Sequence, residues 1–255
     1  MYPFSCNETA LPSITLIEES DSRNVKANTQ TELSPATTID TVNSIEDQII
    51  VQKAASEIES FSIIGTLGDL LASIGPFSDM IARTYLLAIL DNVSSLVGTG
   101  RTYNSISLDN VLITEKFAPI IDVSGKTTMG SSLLEANLDG KDLFDLGILL
   151  FSIVSGFLPF DQSDEKDECF KALSEGDFEH FWEIQEEKWT IFSGFKQSQH
   201  KYREPFRQLI EELLTKKTLT FSEIKAQKWC EVPSQPLDKI EGVIIEILKK
   251  KGFDC

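Results

Sequence analysis

Cysteine has the widest chemical repertoire of the residue types in this chain, and its spacing excludes most of that repertoire. Cys6, Cys169, Cys230 and Cys255 lie far apart and form no Cys-x-x-Cys pair. Neither a zinc cluster nor a disulfide framework is expected, and all four read as free thiols. Cys255, with no residue after it, does not fit a prenylation box. Charge is the second resource. With 23 Lys and Arg against 40 Asp and Glu, the formal charge is −17. That balance opposes binding to phosphate backbones and anionic membrane surfaces, which are held chiefly through excess Lys and Arg. The acids concentrate between Asp161 and Glu187, a run that suits either a solvated face or a docking surface for a basic partner.

The elements that must position any site follow from hydrophobic patterning. At 255 residues and 41% hydrophobic content, the chain allows one large domain or one domain with extensions. Residues 1–43 form a polar leader. From Glu18 to Ser44, Ser, Thr, Asn, Asp and Glu leave too little apolar surface to offset ordering entropy, so disorder is expected there. Helical spacing begins at Ser44 with Ile45, Ile49, Ile50, Ala54 and Ile58, and Phe61–Ile64 suits a short strand. The turn Gly75-Pro76-Phe77-Ser78-Asp79 leads into a helix over Met80–Val97, apolar on more than one face and therefore buried. Short β-like runs follow at Ser107–Ile113 and Pro119–Val123. Leu143–Val154 is apolar around its whole circumference apart from Asp145 and Ser152, which predicts a central helix ended by Gly156, Pro159 and Asp161. Phe206–Leu214 and Phe221–Trp229 predict two amphipathic helices. The segment 231–255 carries another over Leu237–Lys250, which either folds back or recruits a partner helix. No stretch reaches the roughly 18–20 apolar residues of a membrane span, the nearest being Leu146–Phe160. The N-terminus Met1-Tyr2-Pro3-Phe4 lacks a secretory signal, so an intracellular, cytoplasmic location is expected.

The order of several segments resembles the large C-terminal lobe of eukaryotic Ser/Thr protein kinases, in the style of the calcium/calmodulin-dependent group. Leu67-Gly68-Asp69-Leu70-Leu71 with Gly75-Pro76-Phe77-Ser78 looks like the stretch past the kinase hinge. Tyr103-Asn104-Ser105-Ile106-Ser107-Leu108-Asp109-Asn110 lies where the family has His-Arg-Asp-x-x-x-x-Asn, and Ile121-Asp122-Val123-Ser124 where Asp-Phe-Gly is expected. Asp142-Leu143-Phe144-Asp145-Leu146-Gly147 is similar to the start of the family's central helix, and Ser155-Gly156-Phe157-Leu158-Pro159-Phe160 to the turn that ends it. The resemblance implies a mainly helical α+β fold, a protein-kinase-like large lobe over 63–230, with residues 44–62 as the remnant of a reduced or absent small lobe.

Residue by residue, the resemblance also implies a damaged site. The catalytic Asp that accepts the substrate hydroxyl's proton falls at Ser105, which carries no negative charge; a positioned general base is worth roughly 10²–10⁴ in rate. The phosphate-steadying Lys is replaced by Ser107 and the Arg before the catalytic Asp by Asn104. Asn110 and Asp122 match the two metal-facing positions, both oxygen donors of the type Mg²⁺ prefers. Either can also serve locally, Asn110 by bracing its loop and Asp122 by capping a turn. Gly130-Ser131-Ser132-Leu133-Leu134 stands near the place of Ala-Pro-Glu, and Thr218 near the buried Arg that pairs with that Glu in the family. Losing both together avoids stranding a buried charge.

A kinase small lobe needs on the order of 70 residues, and only 62 precede Ile63. No Gly-x-Gly-x-x-Gly loop is among them, and Lys26 and Glu57 are the faint candidates for the family's Lys–Glu pair. The expected function is a degenerate kinase-like domain, a pseudokinase acting as a protein-binding scaffold or regulator, without catalytic residues at Ser105 and Ser107. Its partners are proteins, with neither nucleic acid nor membrane. No cofactor is expected; weak ATP and Mg²⁺ binding at Asn110 and Asp122 is the residual possibility. Two alternatives stay open: a divergent active Ser/Thr kinase using Asp109 as its base, and a non-kinase helical interaction protein or gene remnant.

Overall fold

The computed structural model describes residues 62–98, 103, 105–123, 137–193 and 202–253. The expectations for the leader, for the helix from Ser44 and for Lys26, Glu57, Asn104, Ser124, residues 130–134, Cys6 and Cys255 lie outside the described residues. Within them the fold is mainly helical α+β, with eight helices and two small antiparallel sheets.

Strand β1 (Ile63–Thr66) begins two residues later than the pattern predicts and runs straight into α1 (Leu67–Ile74). A capping box makes the junction: Asp69 N–H donates to Thr66 Oγ1 at 3.1 Å and Thr66 N–H donates back to Asp69 Oδ2 at 2.9 Å. Helix α2 (Asp79–Gly98) starts where the Ser78 carbonyl accepts the Ala82 N–H at 2.9 Å. Tyr85, Leu86, Leu90 and Val93 within it have no exposed surface. Among the described residues this helix, not the Leu146–Phe160 run, is the segment long and apolar enough to cross a membrane, and just over half of that stretch is buried in the fold.

Strands β2 (Val111–Thr114) and β3 (Pro119–Ile121) form an antiparallel hairpin, with β1 on the other edge of β2. The predicted strand from Ser107 begins instead at Val111, because residues 107–110 are a turn closed by the Val111 N–H on the Ser107 carbonyl at 3.1 Å. Helix α2 holds this hairpin from below. Tyr85 donates its hydroxyl to the Phe117 carbonyl at 2.6 Å, and Asn92 Nδ2 donates to the Pro119 carbonyl at 3.2 Å.

A second sheet pairs β4 (Asn137–Asp139) with β5 (Thr218–Thr220), burying Leu138 against Leu219. Between those strands run α3 (Gly140–Ser155), α4 (Glu168–Glu175), α5 (Phe178–Ser193) and α6 (Glu204–Thr215). Asp139 starts α3 by accepting the N–H groups of Lys141 and Asp142, both at 2.9 Å. Leu143, Leu146, Leu149, Leu150, Phe151, Ile153 and Val154 are all buried, so α3 is the centre of the core, as its composition predicts. Each such side chain stabilises the fold by about 1.5–3 kcal/mol. Gly147 lets α6 approach closely: a Cβ there would lie 2.8 Å from Leu214 Cδ2.

Helix α7 (Phe221–Lys225) is shorter than the expected Phe221–Trp229, the remainder being turns. Helix α8 (Leu237–Lys250) has the expected limits, and its buried Ile240, Ile244 and Leu248 face α1 and α2. The tail helix therefore packs intramolecularly. Cys169 and Cys230 are free and buried.

Candidate functional site

The hairpin register brings two of the sequence-selected residues together. Val111 pairs with Ile121, and one step outward the Asp122 N–H donates to the Asn110 carbonyl at 2.8 Å. Asn110 and Asp122 thus close the open end of the β2–β3 ladder, and α2 fixes that ladder to the core.

The loop before β2 is organised by its own side chains. Ser107 Oγ accepts the Asn110 N–H at 3.2 Å, the local turn expected of a serine two or three positions from a free backbone donor. Asn110 turns back across the loop, its Nδ2 donating to the Ser105 carbonyl at 3.0 Å and to Ser105 Oγ at 3.1 Å. The exposed Ser105 hydroxyl, a neutral group, is thereby held by the Asn110 amide.

Asp109, the alternative base, is exposed, and its Oδ1 lies 3.6 Å from where a Cβ on Gly68 would stand. The Gly68 N–H donates to the Leu108 carbonyl at 3.0 Å. Asp109 therefore sits against the first turn of α1, where the missing side chain of Gly68 leaves it room.

One further contact escapes sequence reasoning. Tyr103 donates its hydroxyl to Asp142 Oδ2 at 2.7 Å, joining the loop to the start of α3. Burial pushes the Asp142 carboxyl above the ordinary aspartate range, with the neighbouring negative charges of Asp139 and Asp145 adding to it and the Tyr103 hydrogen bond and Lys141 opposing it. Burial also raises the Tyr103 phenol, as does its bond to Asp142. Asp142 marks the start of the apolar helix in the sequence, but nothing in the sequence pairs it with Tyr103. Thr218, near the expected site of a buried arginine, is exposed in β5 opposite Asp139.

As metal donors, Asn110 and Asp122 supply one amide oxygen and one carboxylate. Mg²⁺ bound with nucleotide phosphates takes one or two protein carboxylates; Asn110 and Asp122 by themselves do not make a self-sufficient metal centre. No group of three or more His, Cys, Asp or Glu able to hold a metal occurs among the described residues. The chain matches no protein-family model, and a search of curated proteins finds no match to it.

Proposed function

We propose that this chain is a degenerate protein-kinase-like lobe that lacks efficient phosphoryl transfer and works by binding other proteins, as pseudokinases do. The observation that carries this reading is the Ser105–Asn110 pair. A neutral hydroxyl, already accepting an amide N–H at 3.1 Å, stands where the resemblance requires a base, and positioning plus charge stabilisation is nearly all that phosphoryl transfer asks of a protein. The succession of elements supports the lobe assignment. A buried helix, a serine loop, a hairpin ending at Asp122, and an apolar helix capped by Asp139 and stopped at left-handed Gly156 follow in the expected order.

The divergent-kinase reading needs Asp109 to reach the reacting hydroxyl, and the position of Asp109 against Gly68 counts against it. A thermal melt with and without millimolar ATP and Mg²⁺ separates the two. The scaffold reading expects no shift, whereas nucleotide at a hundred times its dissociation constant adds about 2.7 kcal/mol. A shift that disappears in Asp122→Ala would favour the kinase.

A further inference from the structure

The end of α3 and the end of α5 together leave an apolar hollow on the surface. It has a volume of about 390 Å³ and is lined by Phe157, Leu158, Asp161, Lys188, Ile191 and Phe192. Its floor is built: Phe157 packs edge-on against buried Phe151 at 5.8 Å and against Phe192 at 5.5 Å. Its walls are unusually open, with Leu158 50%, Ile191 75% and Phe192 57% exposed. Contiguous large apolar side chains left in water mark interaction surfaces, unlike singly scattered ones.

The hollow's own lining carries one acid, Asp161, and one base, Lys188, but the stretch of chain between those two residues is strongly acidic. Between Asp161 and Lys188 the chain carries eleven Asp and Glu against three Lys. Part of that charge is committed: Glu186 to Arg207, Glu168 to His180, and Asp167 to the cap of α4. Asp161, Glu165, Glu179 and Glu187 form no ion pair among the described residues. Asp161 lines the hollow itself, and Glu187 stands one helical turn before Ile191 on α5. A second copy of the chain would bring the same acidic surface against itself, which like-charge repulsion opposes.

We propose that this hollow is the docking site for a basic amphipathic helix of a partner protein, whose apolar face enters between Leu158, Ile191 and Phe192 while its Lys and Arg meet the flanking acids. The proposal rests on the protein-binding reading above and gives that partner a chemistry. The geometry is the helix-in-groove mode, in which a few apolar anchors of the docked helix at i, i+3 and i+4 carry most of the affinity.

The test uses the full chain and a fluorescent Leu/Lys helical peptide of about five turns, followed by anisotropy. Saturable binding is expected, weakened about tenfold by Phe192→Ser and by Leu158→Ser and reduced by Glu187→Lys, with a matched Leu/Glu peptide not binding. Both serine variants replace exposed side chains, and an unchanged melt verifies their fold. Absence of binding, binding indifferent to Phe192→Ser, or equal binding of the Leu/Glu peptide would overturn the proposal. Sedimentation showing a dimer that Phe192→Ser dissolves would assign the hollow to a second copy and also overturn it. Phosphoryl-transfer turnover would instead sink the protein-binding reading while leaving peptide binding to be measured independently.

Discussion

Tyr103 reaches Asp142 across 39 positions of sequence, hydroxyl to Oδ2 at 2.7 Å. The loop that carries Ser105 is therefore anchored to the first turn of the central helix, where Asp139 has already capped the backbone. Asn110 braces the loop from its other end. A loop without a carboxylate at Ser105 is thus fixed at both ends.

Burial of Asp142 sets a pH dependence, which the Tyr103 hydrogen bond opposes. A carboxyl that is easier to protonate in the folded chain binds more protons there than in the unfolded chain, so the associated stability is present at low pH. It is lost as pH rises from the ordinary aspartate value near 3.8 through the raised one. Asp142→Asn removes this loss while its amide oxygen still accepts the Tyr103 hydroxyl. Urea unfolding across the acid range should show wild type losing stability relative to the variant as pH rises. Parallel pH curves would contradict the assignment. Tyr103→Phe, which leaves the half-buried Asp142 without this donor, should cost about 1–3 kcal/mol near neutral pH.

Arg83 is buried on α2, donates from Nε to the Trp229 carbonyl at 2.6 Å and lies with its guanidinium 4.7 Å from the Trp229 ring centre. Arg83→Ala strands that carbonyl and removes the cation–π contact, so a loss of about 2–4 kcal/mol is expected in denaturant titration. Lysine should not rescue it, having no planar Nε fork. The neighbouring Cys230 thiol, pushed up to about 11 by burial and held back by Arg83, should become still less reactive toward thiol reagents in Arg83→Met. Unchanged stability in Arg83→Ala would show that the contact contributes nothing.

Gly156 and Gly176 both end helices in the left-handed region, at φ +83° and +76°. Alanine at Gly176 meets nothing within 4 Å and should cost only the backbone strain, about 1–2 kcal/mol. At Gly156 the new Cβ would stand 2.7 Å from Pro76 Cγ, adding about 1–3 kcal/mol of overpacking. Equal losses at the two sites would mean that the turn around Pro76 yields freely.

Much of this architecture is legible in the sequence because its strongest signals are local. The all-apolar Leu143–Val154 run becomes α3, the tail periodicity gives α8 with its predicted limits, and the two β-like runs become the hairpin that joins Asn110 to Asp122. What stays hidden is non-local or masked by charge. Strands β4 and β5 are three residues each and pair across some eighty positions, too short for alternation to register. Helix α5 lies partly inside the acidic run, where Phe181, Trp182 and Gln185 are buried behind a charged outer face. At the site, the roles of Ser107 and Asn110 in their own turn follow from their residue types, whereas the Tyr103–Asp142 bond and the seat of Asp109 beside Gly68 depend on tertiary packing.

The most direct test is phosphoryl transfer by the full chain, using radiolabelled ATP, Mg²⁺ or Mn²⁺ and generic protein substrates. The account expects no incorporation above a mock-purified blank, and none in Ser105→Asp, which restores a carboxylate but leaves the neutral Ser107 two residues on. Clear incorporation by the wild-type chain that Asp122→Ala abolishes would contradict it.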